Sequence, residues 1–332
     1  MRHLFGRAGF QPALSCTAGF QPARDSQSRF TAVRSVVTIL TLLTSSALSA
    51  QTTLKQLGYP PGTKLLIIHA DDLAVAHSVD QASFKALESG AVTSASIMVP
   101  CPWLTEVASY AKAHPDADLG LHLTFTSEWK NYRWGPVTRE SVPGLIAPDG
   151  YFYADTPMVV QHARISEVET ELRAQVERAI RAGIRPTHLD SHMGALFNGN
   201  FPAYEKVARE FDIPFFAVRL PGIARMLEGV MRDTDIVPDA VVMAGENVKP
   251  ENWKNFYFSA IKSLKPGLTE MIVHLGFDDA ELQAVMEDHP AYGAAWRQRD
   301  YDLVSSAEFR QLLKDNHVKR IGWKDIKAHW GK

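Results

Sequence analysis

A chain of 332 residues with 35 Lys and Arg against 37 Asp and Glu carries almost no net charge. That balance leaves no electrostatic footprint for nucleic acid and no basic run for an anionic membrane surface. About 280 residues after loss of a leader suit one large α/β domain, which buries roughly three quarters of its unfolded surface. Only two cysteines occur, Cys16 and Cys101; with Cys16 in the leader, no internal disulfide can form.

Residues 1–50 read as a leader. Val36–Leu43 is a short apolar core, with Arg29 and Arg34 before it and the small residues Ser45–Ala50 after it. Basic flank, apolar core and small-residue exit are the marks of a secretory signal peptide, and the core is too short to span a bilayer. The expectation is export to the periplasm or the medium, with a mature chain starting near Gln51. The repeat AGFQPA at Ala8–Ala13 and Ala18–Ala23 points to an over-extended start site, the true basic region beginning nearer Arg29.

From Lys64 onward apolar runs and helical stretches alternate. Lys64–Ala70 is a continuous apolar run of strand length, as a strand buried on both faces requires. A helix over Ser78–Ser89 stops at Gly90, and Ser94–Val99 is a second strand, closed by Pro100. Trp103–Ala113 reads as a helix and Leu119–Phe125 as a third strand. Thr126–Thr156 has no periodicity and reads as an extended loop. Ser166–Ala182 is the clearest helix, with Ile165, Val168, Leu172, Val176 and Ile180 on one face and Gly183 at its end. A strand at Thr187–His192, a helix at Pro202–Phe211 and a strand at Phe215–Leu220 follow. Glu270–Leu275 and Val318–Gly322 are further strands. Ser305–Glu308 has the form of a capping box opening a helix over Glu308–Asn316.

Strands alternating with helices imply parallel pairing, and six or seven such units favour an irregular (β/α) barrel in a single domain, 51–332. No Gly-x-Gly-x-x-Gly follows the first strand, which counts against a dinucleotide site. In such folds ligands bind at the carboxyl ends of strands, and acids and imidazoles gather there. His69, Asp71 and Asp72 close the first strand, and His122 lies in the third. His188, Asp190 and His192 alternate along the fourth, so all three point to one face. His274 sits near the end of the Glu270–Leu275 strand. Alternation also sends Asp71 and Asp72 in opposite directions, so that one is free to bind a metal while the other acts as base or orients a ligand. Three ionisable side chains on one buried strand face are costly without a charge to organise them. Carboxylates mixed with imidazoles suit a divalent ion, zinc more than magnesium.

The runs LLIIHADD, SGAVTSASIMV, LGLHLT, RPTHLDSH and MIVHLGFDD resemble, in order and spacing, the YdjC-like carbohydrate deacetylases, over about Lys64 to Lys327. The resemblance implies a deformed (β/α) barrel that removes acetyl groups from N-acetylated sugars with a divalent ion, Mg or Zn. Carried over by motif, Asp72, His122 and His192 match the metal ligands, Asp71 the base and His274 the acid. His188 and Asp190 match residues that orient the ligands, and His69, where the family commonly has Asn, falls beside them. The loop Glu128–Val137 carries Trp129, Tyr132 and Trp134, which either stack on sugar rings or simply pack over the barrel mouth. The expected partner is a small carbohydrate, with no nucleic acid, no stable membrane span, and a homodimer left open. Two rivals remain: another metal hydrolase such as a phosphodiesterase, with Arg219 and Lys249 as its cations, and a catalytically silent sugar-binding protein.

Overall fold

Alternation along the first strand sorts its residues onto two faces, and that sorting organises the molecule. The computed structural model describes residues 50–197, 199–217 and 230–331. The leader with Cys16, Arg219, and the end of the strand expected at Phe215–Leu220 lie outside them. In β1 (Lys64–Leu73), Leu66, Ile68 and Ala70 join the main apolar core between sheet and helices. Leu65 and Ile67 point the other way, into a smaller cluster with Phe216, Leu268, Ile321 and Trp323. His69 and Asp71 continue this second face, so the barrel interior is apolar below and polar above.

Among the described residues the sheet has seven strands, all parallel. β4 (Leu189–Ser191), β3 (Leu119–Leu123), β2 (Ser94–Ile97), β1, β6 (Gly267–His274) and β5 (Ala240–Val242) lie side by side in that order. β6 pairs with β1 from Lys64 to Asp71. The other edge of β1 is shared, β7 (Val318–Arg320) pairing at its start and β2 at its end. Phe215 makes a single parallel bridge to Leu189 beyond β4. With helices packed outside, the result is an incomplete (β/α) barrel in a single domain.

Besides a helical segment at 50–56, ten helices are placed among the described residues. They are α1 (His77–Glu88), α2 (Leu104–Ala113), α3 (Thr156–His162), α4 (Ile165–Arg181), α5 (Phe201–Glu210), α6 (Trp253–Lys262), α7 (Ala280–Val285), α8 (Ala294–Ser305), α9 (Ala307–Asp315) and α10 (Trp323–Lys327). Gly90 and Gly183, past the ends of α1 and α4, have φ of 65° and 90°, as helix-ending glycines require. The cap of α9 falls one residue later than the expected box: Ser306 accepts from the Phe309 N–H at 3.1 Å.

Helix α4 corrects one expectation. Val168, Leu172 and Val176 are buried, but Ile165 and Ile180 at its two ends are 43% and 47% exposed. Glu171 and Gln175 are buried in their place. Gln175 pairs with both backbone groups of Thr124, and the Glu171 carboxylate accepts the N–H groups of Val137 and Thr138, each at 2.9 Å. The helix therefore clamps the segment that follows β3, and the stripe is rotated to do so. That segment is also more ordered than the expected loop. It bridges itself at Thr126–Tyr153 and Ile146–Phe152 and includes a 3₁₀ turn at Pro143–Leu145.

Candidate active site

The end of β1 departs from regular strand geometry. Ala70 pairs with Ala95 and Leu73 with Ile97, so three steps on β1 meet two on β2. The extra residue makes a bulge, and Asp72 takes a φ of 74°, a left-handed conformation that costs a non-glycine residue roughly 1–2 kcal/mol. Regular alternation would send Asp71 and Asp72 to opposite sides. The bulge overturns that expectation, since both carboxylates approach His122 Nε2, Asp72 Oδ1 at 3.4 Å and Asp71 Oδ2 at 3.8 Å. The turn that follows is fixed by the buried Asp80, which accepts the Ala74 N–H at 2.6 Å.

His122 on β3 stands in register with Asp190 on β4, and its Nδ1 lies 2.6 Å from Asp190 Oδ1. That bond sets the ring so that Nε2 faces the two aspartates. Asp190 Oδ2 meets His69 Nε2 at 3.0 Å, and the His69 ring is further held by Ser94 and Ser96. His69 Nε2 is also 3.2 Å from Asp71 Oδ1, so it ties Asp190 to Asp71. His188 is deeper, stacked on Trp323 with ring centroids 4.8 Å apart. Its other face covers Gly120, where a side chain would collide with the imidazole. Burial, helped by His69, pushes the His188 imidazole well below its usual range, so it is neutral and structural.

His192 lies just past β4 in a 3₁₀ turn, His192–Gly194, where Met193 has a φ of 50°. Its Nδ1 is 3.3 Å from Asp72 Oδ1, and its Nε2 is 3.2 Å from each oxygen of Glu128. His274, at the end of β6, is in register with Asp71, with Nε2 3.9 Å from Asp71 Oδ2. Its backbone N–H donates to the buried Asp300 at 3.0 Å. The predicted residues Asp71, Asp72, His122, His192 and His274 thus meet at one mouth, with His69 and Asp190 directly beneath.

Sequence reasoning missed Glu128, Arg297 and Asp300. Arg297 on α8 is 2% exposed and donates to Asp72 Oδ2 at 2.7 Å, while its Nε donates to the Tyr292 carbonyl. A signal was available. Trp296, Arg297, Asp300, Leu303 and Val304 form one buried helical stripe, and charged residues within such a stripe need partners.

Burial disfavours charge on all these groups, and their neighbours overrule it selectively. Burial alone would raise Asp72, but Arg297 and then His192 hold its carboxyl well below the usual range. Burial would lower His192, yet Glu128 and Asp72 raise it to about 10. His122 is raised against burial by Asp71 and Asp190. His274, by contrast, is lowered to about 4, chiefly by burial. The carboxylates of Asp71, Asp72, Glu128 and Asp190 around these imidazoles favour positive charge, of the kind a divalent cation supplies.

Asp72, His122 and His192 each offer an atom within 4.8 Å of the others. Asp72 Oδ1 is buried and has no hydrogen-bond partner. Its separations of 3.4 and 3.3 Å from the two imidazole nitrogens match those of atoms placed tetrahedrally at ~2.1 Å from a shared ion, about 3.4 Å. Other trios run through Asp190, whose two oxygens already serve His122 and His69. The residues present therefore fit a divalent ion at Asp72.

These groups open into a cavity of about 640 Å³, within the range of small-molecule sites. Of the two readings of the aromatics in Glu128–Val137, packing over the barrel mouth is the one the burial favours. Trp129 and Trp134 are 2% and 3% accessible, and Tyr132 is half-buried. The Trp134 indole donates to the Thr126 carbonyl at 2.7 Å, which fixes it as packing. Trp129 does line the cavity. Lys249, the cation suggested for a phosphodiesterase, is exposed and is not among the residues that line it.

The fold and this mouth define a (β/α)-barrel protein with a buried acid–imidazole centre at the carboxyl ends of its strands. The chain belongs to the YdjC-like protein family, whose family model matches residues 65–315. It is 30% identical over 274 residues to a carbohydrate deacetylase of Thermus thermophilus, covering 80% of this chain and 95% of that one. It is 24% identical to a carbohydrate deacetylase of Thermoanaerobacter pseudethanolicus, covering 80% and 100%. A crystal structure from Enterococcus faecalis, of a protein provisionally described as a cellobiose-phosphate cleavage protein, shares the fold. It has a TM-score of 0.67 and 23% identity, covering 80% of this chain and 99% of that one.

Proposed function

We propose that this protein is a metal-dependent hydrolase that removes acetyl groups from N-acetylated sugars. Asp72, His122 and His192 would hold the ion, zinc or magnesium, with one carboxylate and two imidazoles favouring zinc. The observation that carries the reading is the buried, unpartnered Asp72 Oδ1 facing two imidazole nitrogens at 3.3 and 3.4 Å. The carbohydrate deacetylases among its relatives support acetyl transfer to water as the chemistry.

A divalent ion held there supplies polarisation of the acyl carbonyl and a lowered pKa for water. The chain's own groups do the rest. Arg297 occupies Asp72 Oδ2 and leaves Oδ1 as the free donor atom. Asp190 keeps His122 Nε2 turned to the site. Asp71 takes the proton of the attacking water. His274, lowered to about 4, is unprotonated at neutral pH, so the proton it gives to the leaving nitrogen is acquired during the reaction. Asp71, 3.9 Å away, is placed to hand it over. The C–N bond breaks, releasing acetate and a free amino sugar. The leader's composition supports action outside the cytoplasm, which amino-terminal sequencing of the mature protein tests.

The direct assay is acetate release from N-acetylglucosamine oligomers after chelation and after adding back zinc or magnesium. Release that stops on chelation and returns with one ion supports the proposal. Undiminished release from thoroughly chelated protein contradicts it.

A further inference from the structure

Below the mouth, the same cavity reaches a group that the proposed chemistry does not use. Leu268, Glu270, Ile272 and His274 alternate along β6 (Gly267–His274), and Glu270 is in register with Ile67 on β1. Four residues before His274, Glu270 sits ~13 Å deeper along the strand. It lines the cavity together with Phe197, Phe216 and Ile272. Its carboxyl is 1% exposed; Oε1 accepts the Trp323 indole N–H at 3.3 Å, and Oε2 has no hydrogen-bond partner.

A buried carboxyl oxygen without a partner normally costs roughly 1–3 kcal/mol. Its position in the cavity wall gives that vacancy a use. We infer that Glu270 is a substrate-binding residue that hydrogen-bonds a hydroxyl of an uncharged sugar whose ring lies against Phe197 and Phe216. This rests on the carbohydrate reading above and names the part of the substrate that enters deepest.

Three features select that ligand class. Phe197 and Phe216, with centroids 5.7 Å apart, offer apolar faces of the kind that pack against pyranose rings. A mostly apolar pocket with one placed polar group is the usual design for orienting a small neutral ligand. The protonation of Glu270 also suits a hydroxyl. Burial pushes its carboxyl up to about 8, with His69 opposing the shift and Asp190 and Asp71 adding to it. A neutral carboxyl can both donate to and accept from a hydroxyl.

The test compares wild type with Glu270→Leu and Glu270→Gln. It measures kcat, KM and metal content on N-acetylglucosamine and its dimer, and binding of N-acetylglucosamine by calorimetry. Glu270→Leu should raise KM roughly ten- to hundredfold, with kcat changed less than about threefold and metal content unaltered. Glu270→Gln, which keeps a donor and an acceptor, should recover part of that loss. Among the 3-, 4- and 6-deoxy sugars, one should bind wild type weakly and be indifferent to Glu270→Leu. Lowered thermal stability with unchanged KM and unchanged calorimetric affinity would mean that Glu270 merely holds an internal water, and overturns the inference. If wild type releases no acetate, the deacetylase reading fails. Calorimetry then decides this one alone: sugar binding weakened by Glu270→Leu upholds it, and equal or absent binding in both proteins overturns it.

Discussion

Asp72 and Asp190 are both buried aspartates, 3% and 5% exposed, and each lies within 3.4 Å of two imidazoles, with His188 3.8 Å from Asp190 as well. Both carboxyls are held below their usual range against the opposing effect of burial. They nonetheless differ in completeness. Asp190 has both oxygens hydrogen-bonded, to His122 and His69. Asp72 has one oxygen bonded to Arg297, while the other faces two nitrogens without a hydrogen bond. Residue type, burial and titration are alike in the two, and only the account of hydrogen bonds separates a group that orients from a group that binds.

The sharpest way to break that contrast is to remove the base beside Asp72. Asp71→Asn should keep metal content at the wild-type level and lower kcat by about 10²–10⁴-fold, measured by acetate release; loss of the metal would place Asp71 among the ligands instead. Next in size is Asp190→Asn. It leaves every proposed ligand atom in place but frees the His122 ring, so metal affinity should fall by about 10–100-fold in a competition titration with a chelator. A smaller effect, seen without mutation, concerns pH. Protons compete with the ion at His122 and His192, which are raised, His192 to about 10. Metal affinity should therefore climb with pH across the neutral range, by about tenfold per unit for each proton displaced. A flat profile between about pH 6 and 8 in calorimetry would show that no such protons are released. The smallest change is expected at the exposed end of α4 (Ile165–Arg181), where Ile180→Lys should alter stability by no more than about 0.5 kcal/mol in a denaturant titration.

That last prediction marks where periodicity misled. The spacing of Ile165 and Ile180 matched an apolar stripe, but backbone groups of Thr124, Val137 and Thr138 needed partners, and Glu171 and Gln175 took the buried face to provide them. Strands β1 to β4 and β6, and the acids and imidazoles at their ends, were legible because alternation and parallel-sheet geometry act locally. The bulge at Asp72 was not, since a single inserted residue leaves no periodic trace and is set by pairing with β2. Arg297 was hidden for a different reason. It reaches Asp72 across 225 positions of sequence from a helix whose buried face mixes Trp296 with charge. The three-residue, partly exposed β5 (Ala240–Val242) carried too little apolar pattern to be seen. The aromatics of Glu128–Val137 drew attention, but it was Glu128, at the loop's first position, that reached His192.

The measurement closest to the centre of this account is a zinc titration of the metal-free protein by calorimetry, run on wild type, Asp72→Asn and His192→Ala. One ion per chain in the wild type, with that binding lost in both variants and the fold retained by circular dichroism, is the expected result. Equal stoichiometry and affinity in all three proteins would contradict the assignment of Asp72 and His192 as ligands, and with it the proposed hydrolase.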